Sequence, residues 1–381
     1  MSELIYQRED SMVVLDIKLN NFYAFKNFHM NLTYPKKIVG SCISNEHLQN
    51  RPNFRYKKVN VILGANASGK TTLGRMLMKT FNFIDKKNYE IITGIIGDTS
   101  QPASFILDLA SSNNRMYRVT CLISPLNKEK YSPEDISLEI RSEVIRVKDS
   151  YESCARRLEA QQYSPCSNYI EELDKIEELD WLFEYPEDTA RVLRFPKDDP
   201  RFLKVLENVL KTLDPSVQYI EKSKEVENTY IVRLNGKAII LQNGEPFATN
   251  ILSSGTKAGV EIAGILSALI QKRNTFYYCD EKFPYVHTEL ERAILSVMVE
   301  TIQDNAQIFF TTHNSDILDM NLPKHSFSFL KKDKNNLEMP ITCIDASALL
   351  KRSTDSLKSA VENDLFGTNP AVDLIYNISE I

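Results

Sequence analysis

Gly64-Ala65-Asn66-Ala67-Ser68-Gly69-Lys70-Thr71 is the stretch on which the reading of this chain turns. It fits the pattern Gly-x-x-x-x-Gly-Lys-[Ser/Thr], and its flanks have the right character. Before it, KKVNVIL (57–63) is a β-branched, strand-like run; after it, TLGRMLMKTFNFI (72–84) carries Leu73, Met76, Leu77 and Phe81 at helical spacing. In a strand–loop–helix of this kind the glycines let the backbone curl, so that its N–H groups and the helix N-terminus face phosphate oxygens. Gly64 to Thr72 are then the phosphate-binding residues. Lys70 would neutralise the β- and γ-phosphates, and the Thr71 hydroxyl would join a Mg2+ shell. The alternative is a glycine turn that happens to carry Lys-Thr.

Working outward, the first third of the chain reads as β-structure. MVVLDIKL (12–19) and FHMNLT (28–33) suggest a hairpin, and SFILDLA, YRVTCLI and EVIRVK mark strands between 103 and 148. The stretch 150–213 is rich in Glu, Arg, Leu and Tyr and reads as a helical insertion. Its last helix carries the apolar stripe Phe202, Val205, Leu206, Val209, Leu210, Leu213, expected to be core packing. A hairpin should follow with its turn at Asn235-Gly236, and a second Asn-Gly turn stands at 243–244. From 251 onward helices alternate with near-continuously apolar strands, the mark of a parallel sheet covered on both faces.

Three further clusters bear on the chemistry. Asp280-Glu281 ends the strand-like run TFYYCDE. Carboxylates at a strand C-terminus would lie beside the phosphate loop of a neighbouring strand, Asp280 holding magnesium through water and Glu281 polarising the attacking water. Leu252-Ser253-Ser254-Gly255-Thr256 precedes a long helix, and its free N–H groups and Ser hydroxyl suit a γ-phosphate. Thr311-Thr312-His313 follows the strand QIFF. Taken singly, these read equally as a solvated acidic loop, a serine helix cap and a structural histidine. Their order, phosphate loop, signature, Asp-Glu, histidine, is what gives them weight.

Composition sets the outer limits. The chain has 381 residues, 43% hydrophobic and 25% charged, with 46 Lys+Arg against 51 Asp+Glu and a net charge of −5. That excludes collagen-like, disordered and disulfide-scaffold classes and argues against a protein that coats DNA by counterion release. The six cysteines form no Cys-x-x-Cys pair. The opening residues show no secretory pattern, and no run reaches the roughly 18–20 apolar residues of a membrane span. A cytoplasmic protein without membrane contact is the expectation.

The four motifs together resemble the ABC-type ATPases, and LSSGT differs from the glycine-richer transporter form of the signature. IKLNNFYAFKNFHMNL (17–32) looks like the opening strand pair of the SMC, RecF and overcoming-lysogenisation-defect groups. GANASGKTTL, LSSGTKAGVEI, DEKFPYVHTEL and FFTTHNSDIL read like the stand-alone ATPases of bacterial abortive-infection and phage-defence operons. In that family a Leu-His-Pro ending follows Asp-Glu; here the segment runs Lys282 to Thr288 and keeps only His287.

The resemblance implies an α/β fold: a P-loop NTPase of the ABC ATPase head type, with a parallel core sheet, an N-terminal antiparallel β-subdomain and a helical insertion. It divides the chain into an N-terminal lobe (1–149), the insertion (150–213), a C-terminal lobe (214–345) and a C-terminal helix and tail (346–381). It implies ATP and Mg2+ as ligands, Lys70, Glu281 and His313 as catalytic groups, and Thr71 and Asp280 as metal ligands. Ser253, Ser254 and Gly255 would grip the ATP of a second copy in a homo-oligomer, at least a dimer. After His313 no Asp-x-Asp set for a Toprim nuclease follows. The resemblance therefore implies a sensor or scaffold that gates a separate effector, a nuclease or toxin, on a phage-derived trigger. The apolar tail residues Val372, Leu374, Ile375, Tyr376 and Ile378 would dock that partner, or pack on their own domain. A RecF- or SMC-like repair ATPase is the alternative, with DNA met by Lys36, Lys37, Arg51, Arg55, Lys57 and Lys58.

Overall fold

A computed structural model describes residues 11–38, 40–164, 166, 168–176, 179, 181–184, 200–242, 245–246, 254–281, 287–352 and 354–368. The chain divides into two compact units, one of residues 1–183, 275–280 and 304–381, the other of 184–274 and 281–303.

The first unit begins with β1 (Met12–Asn20) and β2 (Phe28–Asn31), the expected hairpin, with Ile17 opposite Met30. A short pair, β3 (His47–Leu48) and β4 (Arg51–Arg55), leads into β5 (Val59–Leu63), buried along its whole length. The Gly64–Gly69 loop opens α1 (Lys70–Lys86), and the one-turn α2 (Glu90–Thr93) follows. β6 (Ala103–Ser111), β7 (Arg115–Ile123) and β8 (Ile136–Val144) form a meander that completes an antiparallel sheet in the order β2-β1-β6-β7-β8. Its last strand starts earlier than the run EVIRVK suggests, because the buried alternation begins at Ile136, Leu138 and Ile140.

Residues 150–213 hold α3 (Tyr151–Glu159), α4 (Tyr169–Leu173), β9 (Trp181–Glu184) and α5 (Pro200–Leu213). The helices match the expectation; the strand does not. Aromatic side chains explain it, since Trp181 and Phe183 pack on Phe81 of α1 at ring distances of 5.7 and 5.8 Å.

In the second unit α5 covers an antiparallel sheet of β10 (Val217–Lys222), β11 (Thr229–Leu234), β12 (Lys237–Gln242) and β13 (Glu245–Pro246). The β11–β12 turn falls at Asn235-Gly236 as expected, with Gly236 at φ 75°; the Asn-Gly pair at 243–244 lies outside the described residues. Phe202, Leu206 and Leu210 are the buried centre of the α5 stripe, packed with Tyr230, Val232, Val260 and Ala263. α6 (Ser254–Ile270) approaches α5 at Gly259, where a Cβ would sit 2.7 Å from Leu210. β14 (Phe276–Asp280) returns the chain to the first unit, and α7 (Thr288–Thr301) belongs again to the second.

β15 (Gln307–Thr311), β16 (Phe327–Lys332) and β17 (Ile341–Asp345) complete the core of the first unit, followed by the short helices α8 (Ala346–Leu349) and α9 (Leu357–Glu362). The core sheet has the order β17-β16-β5-β15-β14-β9. Strands β16, β5, β15 and β14 are mutually parallel, and β17 runs antiparallel on the edge. β5, β14 and β15 are buried at every position, as strands covered on both faces must be. Beyond α9, Phe366 stacks on Phe329 of β16 with ring centroids 3.8 Å apart. The tail residues Val372, Leu374, Ile375, Tyr376 and Ile378 lie outside the described residues.

Two cations assigned from the sequence to a surface strip are inside the protein. Lys57 is 1% exposed and paired with Asp345. Lys58 donates to the Ser44 carbonyl at 3.0 Å and to Asp304 at 3.3 Å; burial lowers its pKa and Asp304 works against that. A basic run in sequence becomes a pair of anchors because both residues lead directly into a buried strand.

Candidate nucleotide-binding site

The Gly64–Gly69 loop is shaped by backbone conformations that few residue types tolerate. Ala67 has φ 61° and Gly69 φ 109°, both in the left-handed region, and they turn the chain back upon itself before α1. Gly64 has no room for a side chain: a Cβ there would lie 2.5 Å from the Leu330 carbonyl oxygen and 2.5 Å from Ser68 Oγ. The Ser68 N–H closes the turn onto the Ala65 carbonyl at 3.1 Å, and Leu73 N–H makes a helical bond to Gly69 O at 2.8 Å. Lys70 lies back over the loop, its Nζ donating to Gly64 O at 2.8 Å and Ala65 O at 3.3 Å. Asn66 and Ala67 are exposed at the loop tip, and Gly64, Ala65, Gly69, Thr71 and Thr72 are half-buried. Ser68 Oγ is buried without a hydrogen-bond partner. A left-handed nest, a close glycine and an unsatisfied hydroxyl fit a phosphate group.

Asp280 sits at the end of β14 with 0% exposure. The sequence pattern places it on a strand adjoining the phosphate-loop strand, and the structure corrects this: β15 lies between β5 and β14. The link is made from above by α1, whose Thr71 Oγ1 donates to Asp280 Oδ2 at 2.6 Å. The intervening strand supplies a second donor, Thr311 Oγ1, to Oδ1 at 2.6 Å. A third contact fixes α1 itself, for the Tyr278 hydroxyl donates to the Lys70 carbonyl at 2.6 Å. Gly74 lies against the Tyr278 ring so closely that a Cβ would be 2.4 Å away, so α1 and β14 interlock. Tyr278 does not stand out in the sequence as a site residue, and Thr311 enters there only as the first residue of Thr311-Thr312-His313. Their signal is period-two alternation, which puts Phe276, Tyr278 and Asp280 on one face of β14 and Phe309 and Thr311 on the same face of β15. The hydroxyl and carboxylate oxygens of Thr71 and Asp280 are hard donors of the kind Mg2+ takes.

The remaining residues assigned from the sequence are distributed as follows. Glu281 is half-buried and takes φ 45°, a left-handed conformation that costs a non-glycine residue about 1–2 kcal/mol. Strain at a residue bonded directly to Asp280 fits a functional position. His313 is exposed just past β15, after buried Thr312, whose N–H donates to the Ile62 carbonyl of β5 at 3.3 Å. Gly64 through Thr72, Asp280 and His313 thus share the first unit. Ser254 and Gly255 open α6 in the second unit, and Ser253 lies outside the described residues. At that helix start Thr256 Oγ1 donates to Asp214 at 3.2 Å, and the Ser216 hydroxyl is the main group holding the Asp214 carboxyl below its ordinary pKa. His287 is the N-cap of α7, accepting from Glu289 N–H at 3.4 Å. Among the described residues no group of His, Cys, Asp and Glu side chains forms a metal cluster, and no helix is long and apolar enough to cross a membrane.

Comparison with family models and with curated proteins finds no match. Solved structures do match. An SMC head bound to the C-winged helix domain of ScpA aligns with TM-score 0.51 at 12% identity, covering 88% of this chain and 99% of that one. The SMC head domain of Thermotoga maritima gives TM-score 0.43 at 12% identity, covering 87% and 98%. RecF with ATP, of the RecFOR pathway, gives 0.39 at 10%, covering 80% and 92%. With its phosphate loop, central parallel strands and antiparallel β-subdomain, the chain has the fold of an ABC-type ATPase head, like that of the SMC proteins.

Proposed function

We propose that this chain binds and hydrolyses ATP with Mg2+, as an ABC-type ATPase. The observation that carries the reading is the Thr71–Asp280–Thr311 arrangement at the mouth of a phosphate-shaped loop. The loop N–H groups and the helix N-terminus would hold phosphate oxygens, and the Lys70 ammonium would draw the negative charge down. When bound, the metal would neutralise phosphate charge, held by Thr71 and Asp280. Glu281 takes the proton of the attacking water, and His313 supports the reacting phosphate. Two copies would close on two ATP molecules, each offering Ser253, Ser254 and Gly255 to its partner's nucleotide, and hydrolysis would reopen the pair. On the sequence resemblance, this cycle gates a separate nuclease or toxin in cytoplasmic phage defence.

The Glu281→Gln variant tests the reading. It should bind ATP and dimerise while hydrolysis falls by about 10²–10⁴-fold, as read by phosphate release and sedimentation, with Lys70→Ala as the variant that binds no nucleotide. Parent-like hydrolysis in Glu281→Gln would remove the assigned base. Direct action on DNA is the alternative that the SMC-like fold supports equally. With Lys57 and Lys58 buried, its strip is reduced to Lys36, Lys37, Arg51 and Arg55.

A further inference from the structure

We infer that Thr311 is a positioning residue for the metal, fixing the Asp280 carboxylate so that its charge is aimed at the cation. The inference rests on the hydrolase reading and adds a residue to it. Thr311 and Asp280 are direct partners across the parallel β14–β15 ladder, and both are fully buried. A carboxylate at a strand end can rotate about its side-chain bonds, and a hydroxyl bond to one oxygen alone leaves that rotation open. Thr311 closes it, since each carboxylate oxygen then has its own hydroxyl donor at 2.6 Å. Hydroxyls suit this role, because each donates one hydrogen and orients the oxygen it meets. Groups that orient a metal-ligating carboxylate in this way typically matter 10–100-fold for metal affinity.

The residue type sharpens the point. Position 311 ends a buried run of Gln307, Ile308, Phe309 and Phe310, where packing and strand preference would be met as well by valine, which has the shape of threonine without the hydroxyl. Ser328 of β16 uses its hydroxyl differently, donating to Asn60 at 2.8 Å within the sheet. At 311 the hydroxyl faces a buried carboxylate that the α1 N-terminus also touches.

Thr311→Val and Thr311→Ser, compared with the parent, decide the matter. A fluorescent ATP analogue is titrated with and without Mg2+, and the Mg2+ concentration for half-maximal binding enhancement and for half-maximal hydrolysis is recorded. Thr311→Val should raise both Mg2+ midpoints about tenfold or more while binding in EDTA stays at the parent value, and Thr311→Ser should restore the midpoints. Unchanged midpoints in Thr311→Val, or a serine variant no better than valine, overturn the inference alone. A loss of binding in EDTA equal to the loss with Mg2+ also overturns it, because the role would then be structural. A parent that binds no analogue under either condition overturns the hydrolase reading and this inference together.

Discussion

Asp108 and Asp280 of the first unit are both completely buried and are held by opposite means. Asp108, in the antiparallel sheet, is gripped by the guanidinium of Arg118, its cross-strand partner, with Nε and Nη2 each 2.7 Å from a carboxylate oxygen. Tyr151 adds its hydroxyl at 2.7 Å. Asp280, in the core sheet, receives a threonine hydroxyl on each oxygen. A forked guanidinium both orients a carboxylate and cancels its charge, whereas a hydroxyl only orients it. The first arrangement pairs the carboxylate with a cation inside the sheet; in the second, two threonine hydroxyls fix the carboxylate next to the N-terminus of α1. Burial alone therefore does not separate a structural acid from a functional one, and the donor chemistry does.

The comparison can be broken by replacing each acid with its isosteric amide. Asp280→Asn should lose hydrolysis by about a hundredfold or more, because a metal contributes several kcal/mol to charge stabilisation, and should melt no lower than the parent. Phosphate release and a thermal scan read both quantities. Asp108→Asn should do the reverse, costing about 3–5 kcal/mol of stability by removing the buried charge that Arg118 pairs with and leaving it only the exposed Glu159, with hydrolysis per folded molecule retained. An Asp108→Asn protein as stable as the parent in denaturant titration would erase the distinction.

A third buried acid refines it with a smaller effect. Glu172 of α4 accepts the Ile140 N–H of the edge strand β8 at 3.0 Å, and Lys175 reaches it at 2.7 Å. Burial opposes its ionisation, but Lys175, the Tyr163 hydroxyl and the Cys166 N–H outweigh burial and hold its pKa down at about 2. A lowered folded-state pKa means that the stabilisation is present above the ordinary glutamate value and is lost as pH falls toward 2. Glu172→Gln should cost roughly 1–3 kcal/mol at neutral pH, and its melting-temperature gap to the parent should close as pH drops from about 4.5. A gap constant over that window would show that the charge is not what matters.

Much of the site is legible in the sequence because its determinants are local. The glycine spacing, Lys70 and Thr71 lie in one short segment, and Asp280 ends a run too apolar to be anything but a buried strand. The strand order is not legible. Nothing local to TFYYCDE or QIFFTTH says which lies beside β5, so Thr311 reads in the sequence as part of Thr311-Thr312-His313 and not as the partner of Asp280. Lys57 and Lys58 look like surface cations for the same reason, since their partners Asp345 and Asp304 are far along the chain. β9 escapes because a four-residue strand has too short a period to register against the helices around it.

The chain has one tryptophan, Trp181, and β9 sets it against Phe81 on the helix that opens at Lys70. The protein thus carries its own optical probe, with no competing indole elsewhere and no label to attach. Any event at the phosphate loop that shifts α1 passes directly beneath that ring. On the proposed ATPase reading, nucleotide arrival, metal arrival and product departure would each be followed in real time, in the unmodified chain, by the colour and intensity of a single emitter.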